Sequence, residues 1–192
     1  LADYDMRNSP VTSRLRPALA IFTATPDEFR TIYQIEQAFN DRINPTTIGL
    51  MTLEERQNFT TQRNAAQAEM DAQLKATLGD ARYAEFARAS DREYQQLVRL
   101  AERENLPAQS AIQAFDLRSN LSLESNRILN DISLDYNQKL ASLQSLAQTT
   151  RAQLVATLGP TAGEAYVKSA SWLASVERGG VVTFTANGWN SR

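Results

Sequence analysis

Cysteine and histidine are both absent from this chain of 192 residues. Without cysteine there is no thiol nucleophile, no disulfide and no thiolate metal site. Without histidine no histidine-containing catalytic triad can be built, and the helix-bundle di-iron site that needs Glu-x-x-His is also excluded. Glycine and proline are scarce, with seven and six residues, and most of them stand at punctuation points. Lysine occurs only at Lys75, Lys139 and Lys168, so arginine supplies nearly all the positive charge. No apolar run reaches the roughly 18 residues of a membrane span. Neither charge sign dominates. Residues 1–106 carry thirteen basic and sixteen acidic residues, and 107–192 carry seven and six. That balance gives no basic field for nucleic acid or anionic lipid.

What remains is a chain of ordinary apolar content, long enough to bury a core and written in helical punctuation. Residues 1–24, with Pro10 and Pro17 among polar breakers, read as an extended arm ending in the apolar run Ala18–Phe22. "TPDEF" then starts a helix: Thr25 caps, Pro26 fits the first helical position and Glu28 closes a capping box. This helix should reach about Ile43, where Asn44–Gly49 breaks it. Thr52 and Glu55 repeat the signal for a helix over Leu53–Leu78, and Gly79 suits its end. Asp80 should start one helix running to about Asn105, and Pro107 should open the next. Ser133 reads as the cap of a helix ending at Leu158, although no Gly or Pro forbids a single rod from Ala108 to Leu158. Gly159-Pro160 opens a last helix ending near Arg178.

The chain writes one word twice. "AQLKATLG" begins at Ala72 and "AQLVATLG" at Ala152. Upstream, Met51–Gln57 aligns with Ile132–Gln138, and downstream Phe86 aligns with Tyr166 and Arg88 with Lys168. Each copy reads as cap, long helix, Leu-Gly, return helix, which is a helical hairpin. The expected fold is therefore all-α: an antiparallel helical bundle of two similar helical hairpins (51–106 and 132–178) plus an N-terminal helix. The bundle would span 25–178, and 179–192 form a β-prone tail with scope for a small terminal β-pair. In that tail "VVTFTA" alternates as strands do, and Asn187-Gly188 is a hairpin-turn signal. The tail has three readings: it folds back on Ala18–Phe22 of its own chain, pairs with a neighbouring chain, or stays disordered. Val182, Phe184 and Trp189 are its candidate interaction residues.

Catalytic signals do not assemble. Glu54 and Glu55 lie in a first helical turn, where acids favour the helix dipole, and that role accounts for them without catalysis. No phosphate loop and no Asp-x-Asp-x-Asp-Gly calcium loop is present. Arg82, Arg88, Arg92 and Arg99 interleave with Tyr83, Phe86 and Tyr94, a pattern seen in single-strand nucleic-acid binders. The acids Glu85, Asp91, Glu93 and Glu102 among them favour a solvated, ion-paired face instead. No catalytic residue, cofactor, metal or small-molecule ligand is expected.

Leu78-Gly79, Arg82-Tyr83, Arg88–Asp91, Tyr94–Leu97 and Asn105–Pro107 together resemble a set of uncharacterised exported all-helical proteins of Verrucomicrobia and related bacteria. The resemblance covers about residues 25–177, and it implies a helical fold and an extracytoplasmic compartment. "MTLEE" and "ISLDY" stand where Spy/CpxP-type periplasmic helical proteins carry Leu-Thr-x-x-Gln motifs, though both lack that Leu and the final Gln. A start at Leu1 rather than Met is what a processed chain with its leader removed would show. The expected function is a non-enzymatic extracytoplasmic interaction or scaffold protein that self-associates through its terminal arms. The alternative is a periplasmic chaperone or stress-sensing module.

Overall fold

The computed structural model describes residues 6, 8–43, 51–185 and 188–191. Among them the fold is all-α with a small terminal β-pair. Two compact units divide the chain, residues 1–90 and residues 91–192, where the sequence suggested one bundle over 25–178.

The first unit holds α1 (Pro10–Phe22), α2 (Pro26–Arg42), α3 (Leu53–Leu78) and α4 (Asp80–Ser90). Helix α1 corrects the extended arm expected over 1–24. Ser9 accepts from Thr12 N at 3.0 Å and Pro10 takes the first turn, so the start is well capped. Pro17 sits inside the helix, at a usual cost of about 3 kcal/mol. Val11, Leu15, Ala18 and Phe22 step by three and four onto one face and are buried, and that burial offsets the proline. They join Ile32, Met70, Leu74, Phe86 and Ala89 in one core. The Ala18–Phe22 run is therefore a helix face and not a strand. The capping boxes at Thr25 and Thr52 both form, and α3 has the bounds its punctuation predicts. The breaker at 44–49 lies outside the described residues, except that α2 closes at Arg42.

The second unit holds α5 (Arg92–Arg103), α6 (Ala108–Asn130), α7 (Tyr136–Leu158), α8 (Pro160–Ser169), α9 (Ser171–Glu177), β1 (Val182–Thr185) and β2 (Gly188–Ser191). Three expectations change here. The helix predicted over 80–105 is two helices, because Asp91 turns extended and caps α5, accepting from Glu93 N and Tyr94 N. The helix predicted over 160–178 breaks at Ala170, which re-aims the chain so that Trp172, Leu173 and Val176 are all buried. The α7 cap is Asp135, not Ser133, and it forms a capping box with Gln138. Ser133 instead bonds to Asp131 through both its N–H and its hydroxyl.

The doubled word becomes a doubled backbone. Gly79 has φ 78°, ψ 161°, and Gly159 has φ 81°, ψ 160°, a region essentially closed to other residues. Each glycine carbonyl accepts the first bond of the return helix, from Tyr83 N and Gly163 N respectively. Each unit runs in the same order: a short helix, a longer helix, a long helix ending at glycine, and a short return helix. The aligned pair Phe86 and Tyr166 plays matched roles. Phe86 meets Phe22 of α1 edge-on at 5.5 Å, and Tyr166 donates to Glu93 of α5.

Candidate functional site: the seat of the C-terminal hairpin

The second unit is organised around a buried arginine. Arg118 of α6 is 2 % exposed. It lies in register with the core positions Ala114, Leu121, Ser125 and Ile128, so the geometry of α6 carries a charged side chain inward. Burying a guanidinium requires partners. Its Nη1 donates to Asp91 Oδ2 at 3.1 Å. Its Nε lies 3.5 Å from Glu93 Oε2, within ion-pair range but without completing a hydrogen bond. Glu93 is further held by Trp172 Nε1 at 3.0 Å and by the Tyr166 hydroxyl. Burial and the Glu93 charge push the Tyr166 phenol well above its ordinary range. Five elements thus converge on three charges, Arg118, Asp91 and Glu93: the start of α5, α6, α8, α9 and, through Phe184, β1.

The hairpin closes this cluster. β1 and β2 pair antiparallel with Phe184 opposite Trp189 and Val182 opposite Ser191. The Arg118 guanidinium carbon sits 3.9 Å from the centroid of Phe184, and Phe184 meets Trp172 edge-on at 5.6 Å. The Val182 carbonyl accepts from Ser122 Oγ at 2.8 Å and Asn126 Nδ2 at 3.1 Å. Ser191 Oγ and Ser175 Oγ are 2.6 Å apart. Arg118, Ser122 and Asn126 are spaced by four, so one stripe of α6 presents a guanidinium, a hydroxyl and a carboxamide to β1.

The three residues proposed for interaction are therefore placed as follows. Val182 is completely buried, because its side chain enters the core while its carbonyl is bonded to α6. Phe184 is half-buried under Arg118, and Trp189 is half-buried opposite it. The hairpin is built within the tail itself and does not pair with Ala18–Phe22. Of the predicted turn Asn187-Gly188, Asn187 lies outside the described residues and Gly188 is the first residue of β2. Arg118, Ser122, Asn126 and Trp172 were not singled out from the sequence, and Glu93, expected on a solvated face, instead meets Arg118, Tyr166 and Trp172. The signal for Arg118 was present: an arginine at a core position of an otherwise Ala/Leu/Ser/Ile stripe.

The other candidate features settle into structural roles. Glu55 accepts from Thr52 N at 2.7 Å, as a cap does. The aromatic–arginine series is divided at Asp91: Phe86 and Tyr94 are core residues, and Arg82 is held by Glu28 at 2.8 Å and by Glu85. Surface clefts are shallow. One of about 390 Å³ between α6 and α7 is lined by Gln113, Asp116, Asn120 and Gln153. Another of about 300 Å³ at the α1–α2 corner is lined by Leu19, Pro26, Phe29 and Arg30. Neither brings two carboxylates together. No group of three or more metal-ligating side chains occurs among the described residues, and no described helix is long and apolar enough to cross a membrane.

The class these features define is an all-α protein of two helical units, the second closed by a β-hairpin latch. No family model, no curated protein and no solved structure matches the chain.

Proposed function

We propose that the protein is a non-enzymatic interaction or scaffold protein that associates with itself through its C-terminal arm. One observation carries this reading. The arm is held by a discrete, separable set of contacts, namely Phe184 on Arg118, the Val182 carbonyl on Ser122 and Asn126, and Ser191 on Ser175. In this reading the arm is the element that leaves its seat, and its contacts to α6 and α9 are the ones it gives up. Action outside the cytoplasm rests on the resemblance of residues 25–177 to exported helical proteins. Light scattering of the full chain and of a chain ending at Gly179 tests the reading. Concentration-dependent association that is lost with the arm is expected, and a monomer at every concentration in both overturns it.

A second reading, a chaperone module, is favoured by the α6–α7 turn. There Ile132 is fully exposed, Tyr136 is 78 % exposed and Leu129 is 41 % exposed, an apolar tip able to hold unfolded chain. Suppression of the aggregation of an unfolding protein, weakened by Ile132→Ser with Tyr136→Ser, would support it. No suppression at stoichiometric excess would sink it.

A further inference from the structure

We propose that two copies of the chain exchange their C-terminal hairpins, so that β1 and β2 of each dock on the Arg118–Ser122–Asn126 stripe of the other. This rests on the self-association reading and names its partner: a second copy, engaged through the same seat that each copy fills for itself.

The hairpin is attached at one end of the chain and by few elements. It is joined to α9 by residues 178–181, and the ring contacts and side-chain hydrogen bonds of Val182, Phe184 and Ser191 outside the hairpin run to α6 and α9. Those contacts are local in space and indifferent to which chain supplies the hairpin, which is the condition for exchange without new chemistry.

At the joint, Gly179 has φ +91°, a conformation L side chains rarely adopt, and a Cβ there would lie 2.9 Å from Leu140 Cδ1. At Gly180 a Cβ would lie 2.7 Å from Ser175 Oγ. The closed joint is thus a tight reversal, held by Gly179 N to Val176 O and Gly180 N to Ser175 O, both 2.9 Å. Two glycines also leave the joint sterically free to adopt an extended backbone.

Release would expose apolar surface. Val181 and Val182 are 3 % and 0 % exposed when seated. An isolated two-stranded hairpin is marginal in water. A released hairpin therefore leaves both itself and its seat apolar and unsatisfied until it finds a seat again, its own or a neighbour's. Exchange reproduces the full set of contacts. Association through the outer edge of β2 would instead add only a four-residue strand and leave the seat filled from within.

Because the chain has no cysteine, a new pair can report the connectivity. In the full chain carrying Ser175→Cys and Ser191→Cys, the two sulfurs replace hydroxyls 2.6 Å apart. The chain is oxidised at high and low concentration, then compared by light scattering and by denaturing gel without reductant. Exchange predicts a scattering mass that doubles with concentration and a covalent dimer on the gel. A doubled scattering mass with disulfides only within single chains overturns exchange while self-association stands. A single-chain mass in both measurements overturns both. Gly179→Pro in the full chain is the second arm, since proline cannot adopt φ +91°. Exchange expects its mass to shift from monomer to dimer, and a monomer overturns the proposal even if the disulfide does not form.

Discussion

The guanidinium carbon of Arg118 lies over the ring of Phe184, 3.9 Å from its centroid, while Nη1 of the same group donates to Asp91. One buried side chain thus ties the first residue of the second unit to β1 of its C-terminal hairpin. Both ends of that unit depend on a charge that water does not reach.

Arg118→Ala should destabilise the second unit by about 3–5 kcal/mol, the usual loss when one partner of a buried pair is removed and the other charge remains. Urea denaturation followed by tryptophan fluorescence reads this directly, since Trp172 shares the cluster. A change below about 1 kcal/mol would show that the pair is solvated.

Tyr166→Phe removes one bond to Glu93, which keeps Trp172 and Arg118, so the expected loss is near the low end of about 1–3 kcal/mol. The pH dependence has a definite sign. The folded-state phenol titrates above its unfolded value, so its contribution is complete below about pH 10 and is lost as pH rises beyond it. Thermal melts between neutral and strongly alkaline pH should show a smaller alkaline decline in Tyr166→Phe than in the parent.

In the first unit, Glu28 accepts from Thr25 N and from two nitrogens of Arg82. These bonds, Arg82 first, hold its carboxyl down at about 2. A depressed folded value means stability that is present above pH about 4.5 and lost as pH falls toward about 2. Glu28→Gln should flatten the acid limb of the first unit's stability over that window. An unchanged acid limb in the variant would disprove the assignment.

Gly79→Ala and Gly159→Ala should each cost about 1–3 kcal/mol through backbone strain alone, since a Cβ at either position meets nothing within 4 Å. Gly163→Ala acts differently. Its Cβ would fall 2.5 Å from the backbone Cα of Val155, which cannot swing aside as a side chain does, so α8 must move off α7. Chemical denaturation should rank Gly163→Ala as more damaging than Gly159→Ala, and the reverse order would contradict the close α7–α8 approach.

Local signals were legible where the physics is local. Thr25, Thr52 and Gly79 announce helix ends through bonds that reach only three or four residues, and α3 has the bounds read from them. The Asp91 break was not legible, because an Asp within a good helical stretch caps a new helix only when a distant partner rewards the turn. That partner, Arg118, is 27 residues away. Pro17 misled in the opposite direction: its local cost is real, and the burial of Val11, Leu15, Ala18 and Phe22 outweighs it.

The sequence by itself determined the all-α class, both ends of α3, the start of α6 and the end of α7, the repeated Leu-Gly turn and the β character of the tail. Each of these follows from backbone preferences and side-chain bonds within a turn or two. Tertiary structure alone decided that residues 10–22 are helix, that the chain breaks at Asp91 and Ala170, and that Phe184 rests on Arg118 and not on Ala18–Phe22. Those outcomes depend on which apolar faces and which charges meet across the fold, and burial energies of several kcal/mol then override local preferences of about one.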